Sequence, residues 1–218
     1  IRDTVMIKSI SYSQEELIKN ILELHSKSGR IDCDPTYSKG YFYKDTGIEK
    51  PGYKFDINPQ IEGVVEANAE KLPLSDCSLN TIIFDPPFLA TTGRSLNKVD
   101  NSNVINKRFG VYDSELALFR FYRNAMEEFY RILTPEGILI FKCQEVSSGK
   151  QYFSHCFIYN TAIELGFYPI DFFILLSKNR ITAKWQQNQK HARKYHSYFW
   201  VLKKCNNKTL YSEVIKNE

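Results

Sequence analysis

Hydrophobic and polar positions along the chain follow two different periods, which predict helices and strands in turn. Apolar residues recur at helical spacing behind the capping box Ser13-Gln14-Glu15-Glu16, and another helical stretch ends at Gly166. Helices are therefore predicted over about 14–26, 114–132 and 153–165. Short apolar or β-branched runs predict strands over 30–33, 53–56, 63–66, 81–84, 138–141, 168–176 and 197–202. The segment 134–137, Thr-Pro-Glu-Gly, predicts a turn.

The order of these elements predicts an α/β fold. Short apolar strands that alternate with helices form parallel βαβ units, and the result is an open sheet with helices on both faces. The length of 218 residues predicts one domain over 1–218. In such sheets ligands bind beyond the carboxyl ends of the strands. The candidate functional residues are therefore those that come directly after the predicted strands.

Composition excludes several other classes of protein. Hydrophobic residues make up 43% and charged residues 25% of the chain, which is ordinary for a globular protein and too apolar for a disordered one. No run approaches the roughly 18 apolar residues of a membrane helix, so no membrane partner is expected. Five cysteines without a Cys-x-x-Cys pair predict neither a disulfide framework nor a zinc site, and they favour a reducing, cytoplasmic compartment.

The tetrapeptide Asp85-Pro86-Pro87-Phe88 comes directly after the predicted strand 81–84. Two prolines fix the backbone and remove two N–H donors, so the carbonyls of Asp85 and Pro86 are held rigid with no donor nearby. A carboxylate and a carbonyl oxygen then converge beside the Phe88 ring. Such a pocket suits a planar group with an NH2, because the two oxygens accept its hydrogens and the ring stacks on its face. A proline-rich strand exit without chemistry is the alternative.

Two more acidic residues lie at predicted strand ends. Asp34 begins the segment 34–40, Asp-Pro-Thr-Tyr-Ser-Lys-Gly, and Asp56 ends the strand 53–56. An acid in the second position accepts hydrogen bonds from ribose hydroxyls in nucleotide-binding sheets. An ordinary Asp-Pro turn and a solvated acid are the alternatives for these two residues.

A strand that leads into Asp-Pro-Pro-Phe, together with an acidic strand end and an Asp-Pro-x-x-x-x-Gly segment, resembles the amino-methyltransferases that use S-adenosylmethionine (AdoMet). These enzymes methylate the exocyclic amine of adenine or cytosine, mostly in DNA. The resemblance extends from about Ser13 to Lys204. It implies the class I AdoMet methyltransferase fold, a Rossmann-like, mostly parallel twisted sheet whose last strand is antiparallel.

The resemblance also implies site residues. The catalytic motif corresponds to Asp85, Pro86, Pro87 and Phe88, and an Asp in first place is typical of adenine-N6 enzymes, whereas cytosine-N4 enzymes more often have Ser. The residues that correspond to the AdoMet site are Asp34, Pro35, Thr36, Tyr37, Gly40, Asp56, Asn68 and Ala69. Ser38 stands where the family has its first loop glycine, and Asn68 stands where it has an aspartate.

Positive charge is concentrated near the C-terminal end. The stretch 172–212 holds nine Lys and Arg residues and no acid, whereas the rest of the chain has 20 basic and 25 acidic residues. This asymmetry indicates a polyanionic partner. Two substrate loops are predicted, 89–112 and 177–195. The residues expected to bind nucleic acid are Arg94, Arg108, Lys178, Arg180, Lys184, Trp185, Arg193 and Lys194.

The chemistry implied by the resemblance is methyl transfer to the N6 amine of adenine. The lone pair of that amine is delocalised into the ring, and it becomes localised when Asp85 and the Pro86 carbonyl accept both hydrogens. Phe88 would stack on a base flipped out of duplex DNA, and no metal is required. Three alternatives stay open: a cytosine-N4 enzyme, an RNA methyltransferase and a non-catalytic nucleic-acid-binding relative. The loops leave little room for target recognition, so a partner chain could supply it.

Overall fold

The computed structural model describes residues 6–88, 112, 114–148, 150–179 and 191–205. Within these residues the helices are α1 (Gln14–His25), α2 (Glu115–Ile132) and α3 (Ser154–Leu165). The strands are β1 (Ile10–Ser11), β2 (Cys33–Asp34), β3 (Tyr53–Asp56), β4 (Val65–Glu66), β5 (Leu79–Phe84), β6 (Leu133–Cys143), β7 (Val146–Ser148), β8 (Lys150–Tyr152), β9 (Phe167–Leu176) and β10 (His196–Lys204).

Eight of the strands form one sheet in the order β1-β9-β10-β6-β5-β2-β3-β4. All neighbours in this sheet are parallel except β10, which is antiparallel to both β6 and β9. The predicted open, mostly parallel sheet with an antiparallel last strand is therefore confirmed. The remaining two strands, β7 and β8, form a separate antiparallel hairpin that the sequence pattern does not predict.

The helices cover both faces of the sheet because the central strands are apolar on both sides. Along β5, Ile82 and Phe84 pack with α2 and α3, while Ile83 between them packs with α1. Successive side chains of a strand point to opposite faces, so a strand without polar alternation supplies two cores at once.

Local signals set the ends of the helices. The Ser13 side chain accepts a hydrogen bond from the Glu16 amide at 3.2 Å, as the capping box predicts. The Glu16 carboxylate bonds the Ser11 hydroxyl at 2.5 Å, and that hydroxyl accepts from the Ser13 amide. The C-terminal end of α3 is set by Gly166, whose φ of 95° lies in the left-handed region.

The predicted turn at 134–137 is instead a bulge inside β6. Leu79 of β5 pairs with Leu133, and Thr81 pairs with Ile138, so four residues of β6 face a single residue of β5. Glu136 has a φ of 68°, and Pro135 has no N–H to donate. The Thr134 hydroxyl bonds the Asn80 side chain at 2.8 Å across the bulge. The turn chemistry is present, but the sheet continues on both sides of it.

In the described part of the chain, no helix is both long and apolar enough to cross a membrane.

Candidate active site

A cavity of about 480 Å³ opens at the carboxyl ends of β2, β3 and β5, and we call it the first cavity. Its volume lies within the roughly 300–1,000 Å³ typical of small-molecule sites. It brings together most of the residues that the sequence singles out at three strand ends. The predicted residues that line it are Asp34, Pro35, Thr36, Tyr37, Asp56, Asn68, Ala69, Asp85 and Pro87.

Asp34 is the buried carboxylate at the base of the first cavity. It is 2% exposed, and it accepts hydrogen bonds from the Tyr43 hydroxyl at 2.9 Å and the Thr36 amide at 2.9 Å. Burial raises the pKa of Asp34 to about 7, although these hydrogen bonds oppose the change. Asp34 can therefore take up or release a proton near neutral pH.

The loop after β2 curls tightly around an aromatic pair. The Tyr37 and Tyr43 rings stack with centroids 5.3 Å apart. Gly40 does not line the cavity, and a Cβ added to it would lie 2.7 Å from the Tyr37 hydroxyl. Gly40 also has a φ of 69°, so a side chain there would be strained as well as crowded. Gly40 therefore sets the conformation of the loop without lining the cavity.

Ser38 occupies the position where the amino-methyltransferases that the sequence resembles have a glycine. Its φ of 49° lies in the left-handed region, which explains why glycine suits this position. The Ser38 amide donates to Asp56 Oδ2 at 2.8 Å. The serine keeps the loop geometry, because its backbone is anchored by the acid on the neighbouring strand.

Asp56 also organises the loop that begins after it. Its Oδ1 accepts from the Asn58 amide at 2.8 Å, so each carboxylate oxygen holds one backbone N–H. A carboxylate offers about four lone-pair sites, and both oxygens can accept further hydrogen bonds from a ligand.

The third segment of the first cavity is a short turn after β4. The Asn68 side chain caps this turn by accepting from the Glu70 amide at 3.0 Å, and Ala69 is buried. Asn124 of α2 donates to the Glu70 carboxylate at 2.7 Å and fixes the turn to the helix. The turn presents an apolar methyl group and polar amide groups to the cavity.

Asp85 at the end of β5 is paired with a lysine that the sequence analysis does not single out. Lys142 Nζ lies 3.1 Å from Asp85 Oδ2, whereas Asp85 Oδ1 is buried and has no hydrogen-bond partner among the described residues. Burial raises the pKa of Asp85, and the pairing with Lys142 opposes the rise. One oxygen of Asp85 is thus neutralised, and the other is an unsatisfied acceptor.

Lys142 is held in an aromatic cage. Its ammonium lies 5.1 Å from the ring centroid of Phe42, 5.7 Å from that of Phe88 and 5.8 Å from that of Phe199. A signal for this residue exists in the sequence, because it is the one charged side chain in the apolar run 138–143. A charge inside a buried strand indicates a specific partner.

The rest of the Asp-Pro-Pro-Phe segment is anchored from two sides. The carbonyl of Pro87 accepts from the buried Tyr122 hydroxyl of α2 at 2.7 Å. Phe88 does not line the first cavity but faces a second cavity of about 580 Å³, which Lys142 also lines. Asp85 borders the first cavity and its partner Lys142 borders the second, so the ion pair lies between the two cavities.

One hydroxyl connects the ends of β2 and β5. Thr36 Oγ1 donates to Asp34 Oδ1 at 3.1 Å and accepts from the Asp85 amide at 3.0 Å. The carboxylate of the first strand end and the backbone of the second are therefore joined through one side chain.

The predicted nucleic-acid residues are only partly described. Lys194 lines the second cavity, and Lys178 Nζ lies 5.5 Å from the ring centroid of Tyr12, which lines the same cavity. Arg193 is described but lines neither cavity. The other predicted residues fall outside the described part of the chain: Arg94, Arg108, Arg180, Lys184 and Trp185. Most of the predicted loops 89–112 and 177–195 also lie outside it.

The second cavity contains further polar side chains. Ser177 and Asn179 belong to the predicted substrate loop 177–195, whereas Gln14, Gln144, His196 and Ser197 lie outside both predicted loops. They come from α1 and from segments around the ends of β6, β9 and β10. No pattern within one element could group them, because only the strand order brings those segments together. Among the described residues, no cluster of His, Cys, Asp or Glu could hold a metal ion.

Comparisons with known proteins identify the fold. No protein-family model matches the chain, and no curated protein sequence matches it. A structure assigned as a sarcosine dimethylglycine methyltransferase from Galdieria sulphuraria matches with a TM-score of 0.51 at 11% identity, over 88% of this chain and 85% of that chain. At this identity the likeness shows the fold alone, and the fold is that of the class I AdoMet methyltransferases.

Two further structures match with lower scores. A methyltransferase from Bacillus halodurans has a TM-score of 0.46 at 11% identity, over 86% of this chain and 98% of that chain. A DNA modification methylase from Thermus thermophilus, solved with AdoMet, has a TM-score of 0.40 at 17% identity, over 69% of this chain. The chain spans 59% of the length of that methylase.

Proposed function

We propose that this chain is an AdoMet-dependent methyltransferase that methylates the exocyclic N6 amine of adenine in DNA. The observation that supports the proposal most strongly is Oδ1 of Asp85, a buried oxygen without a hydrogen-bond partner among the described residues, on a residue that borders the first cavity. A buried acceptor without a donor is costly, and a ligand that brings an N–H to it removes that cost. An exocyclic amine is such a donor.

The residues of the first cavity fit AdoMet. Asp56 would accept from the ribose hydroxyls, while Asn68 and Ala69 would contact the adenine of the cofactor. Asp34, Pro35, Thr36 and Tyr37 form the wall along the end of β2. When bound, AdoMet supplies a methyl group on a sulfonium sulfur for in-line transfer to nitrogen. The volume of about 480 Å³ and the mixture of polar and aromatic walls support this assignment.

Asp85 and the backbone of Pro86 act on the amine. Asp85 Oδ1 accepts one hydrogen and the Pro86 carbonyl accepts the other, because the Pro87 carbonyl already accepts from Tyr122. The lone pair of the amine nitrogen is then no longer delocalised into the base ring, and it can be directed toward the first cavity. Lys142 opposes the rise that burial causes in the pKa of Asp85, and an ionised carboxylate at this position would stabilise positive charge that develops on the amine.

The target base enters through the second cavity, where Phe88 stacks on it. A base in duplex DNA must be flipped out to reach this position. The amide and hydroxyl groups around the cavity can hydrogen-bond a base edge, and Lys194 on its rim suits a phosphate. The sequence of 178–194 is rich in basic residues, which we expect to add phosphate contacts, and a partner chain can add target recognition.

The test is methyl transfer from tritiated AdoMet to DNA, with identification of the modified base. We expect N6-methyladenine from the wild-type chain. Asp85→Ala should abolish the transfer yet leave AdoMet affinity within a few-fold, because the proposed role of Asp85 is to accept from the amine, while Asp56, Asn68 and Ala69 would hold the cofactor. Asp76→Ala removes an exposed carboxylate at 74% side-chain exposure and is the matched control.

The products distinguish the alternatives. N4-methylcytosine, or methylation of RNA alone, would replace adenine in DNA as the substrate and keep the site assignment. Nucleic-acid binding without AdoMet binding would identify a non-catalytic relative. Single-turnover methylation by Asp85→Ala at the wild-type rate would refute the role of Asp85.

A further inference from the structure

Three side chains at the start of α3 form a hydrogen-bonded series outside both cavities. Glu145 Oε1 lies 2.6 Å from His155 Nδ1, and His155 Nε2 lies 3.3 Å from Cys156 Sγ. None of the three residues lines either cavity. A carboxylate, an imidazole and a thiol in this order allow the imidazole to remove the thiol proton.

Glu145 orients the imidazole. Its side chain is 1% exposed, and its Oε1 also accepts from the His155 amide at 3.3 Å. When Nδ1–H donates to the carboxylate, Nε2 is left as the acceptor that faces the thiol. Glu145 Oε2 is buried and has no partner among the described residues, so the carboxylate is not neutralised by its contacts.

The position of Cys156 gives its thiol access to solvent. Cys156 is the third residue of α3; its amide donates to the Phe153 carbonyl at 3.1 Å, and the His155 amide donates to Glu145 Oε1. The thiol is exposed, whereas Cys33 and Cys143 are buried. Cys156 thus combines access to solvent with a neighbouring proton acceptor.

We propose that Cys156 is a reactive thiol, activated by His155 and Glu145, that forms mixed disulfides with small-molecule disulfides. His155 Nε2 takes the thiol proton, and the thiolate attacks one sulfur of the small disulfide. A new S–S bond forms to Cys156 as the old S–S bond breaks, and the leaving thiolate takes the proton from His155. Cys156 is oxidised and the released thiol is the reduced product, so electrons and protons balance.

A purely structural role for the pair makes a different prediction. If Glu145 and His155 serve only to anchor the start of α3, Cys156 reacts like any other exposed thiol. Cys77 is the internal standard for this comparison. It is also exposed and lies 3.7 Å from the Lys204 ammonium, so it has a cation nearby but no imidazole contact in the structure.

The experiment treats the full chain with dithiobis-nitrobenzoate at neutral pH and resolves each cysteine by peptide mass spectrometry. We expect Cys156 to react at least about tenfold faster than Cys77. Cys156→Ser should remove the fast phase. His155→Phe should slow Cys156 to the rate of Cys77, and Glu145→Gln, which keeps an acceptor for the helix start, should slow it partially.

Equal rates at Cys156 and Cys77 in the wild-type chain would overturn the proposal without any variant. An unchanged Cys156 rate in His155→Phe would also overturn it, provided that circular dichroism shows the wild-type fold. The result does not depend on methyl transfer, because the reaction is measured without AdoMet or nucleic acid.

Discussion

Replacement of Asp34 by Asn should change how the stability of the protein depends on pH. Asp34 is buried, and its pKa is raised from 3.8 to about 7, first by burial. Between these two values the folded chain holds a proton that the unfolded chain releases. The contribution of Asp34 is therefore favourable at low pH and is lost as pH rises through about 7.

The two pKa values set the magnitude. The rise of about three units corresponds to at most about 4 kcal/mol of unfolding free energy, with a slope of no more than about 1.4 kcal/mol per pH unit. Asp34→Asn removes the charge but keeps an oxygen for the Thr36 amide. The stability of this variant relative to wild type should therefore increase steadily from about pH 4 to about pH 7 and stay constant above it.

Urea denaturation monitored by tryptophan fluorescence, repeated across this pH range, measures the difference. Asp45→Asn is the matched control, because Asp45 is exposed and its φ of 58° suits asparagine as well as aspartate. Its difference from wild type should stay flat. A flat difference for Asp34→Asn as well would show that Asp34 is ionised throughout and that the reasoning from burial fails.

Two further predictions concern the proposed reaction. Asp56→Ala should weaken AdoMet binding by about tenfold or more, since a hydrogen bond to a charged acceptor contributes roughly 1.5–3 kcal/mol, while Asp56→Asn, whose one side-chain oxygen can still accept from one of the two loop amides, should lose less. Calorimetry that shows unchanged affinity for Asp56→Ala would remove this residue from the site. Lys142→Met should move the rise of the single-turnover rate to higher pH, because Lys142 lowers the pKa of Asp85 and the ionised carboxylate is the active form. An unmoved pH profile would separate Lys142 from catalysis.

Much of the fold is predictable because local patterns agree with the tertiary structure. The helices α2 and α3 begin and end within a residue or two of their predicted bounds, and Gly166 stops α3 as expected. The hairpin of β7 and β8 is not predictable in the same way, since its short polar strands carry no apolar alternation. The bulge at 134–137 has the composition of a turn, and only the pairing with β5 shows that the strand continues.

The candidate site also contains residues that the sequence predicts and residues that only the tertiary structure reveals. Strand-end acids such as Asp34, Asp56 and Asp85 are recognisable from the sequence, because each lies at the end of a predicted strand and strand polarity places all three at one edge. Lys142 and Tyr122 contact the same site from other elements, and their roles depend on distances that no local pattern contains. The burial of Asp85 Oδ1, which has no partner among the described residues, likewise depends on tertiary packing and not on a sequence pattern.

The Thr36 hydroxyl links the end of β2, beside the proposed cofactor site, to the Asp85 backbone after β5, beside the proposed site of the acceptor amine. Because it bonds Asp34 on one side and the Asp85 amide on the other, neither strand end can shift without moving its neighbour. Methyl transfer requires the sulfur, the methyl group and the nitrogen to lie in line, and a misplacement of about 1 Å can cost roughly a hundredfold in rate. In the proposed reaction, Thr36 would therefore be a positioning residue that keeps the methyl donor and the acceptor amine aligned.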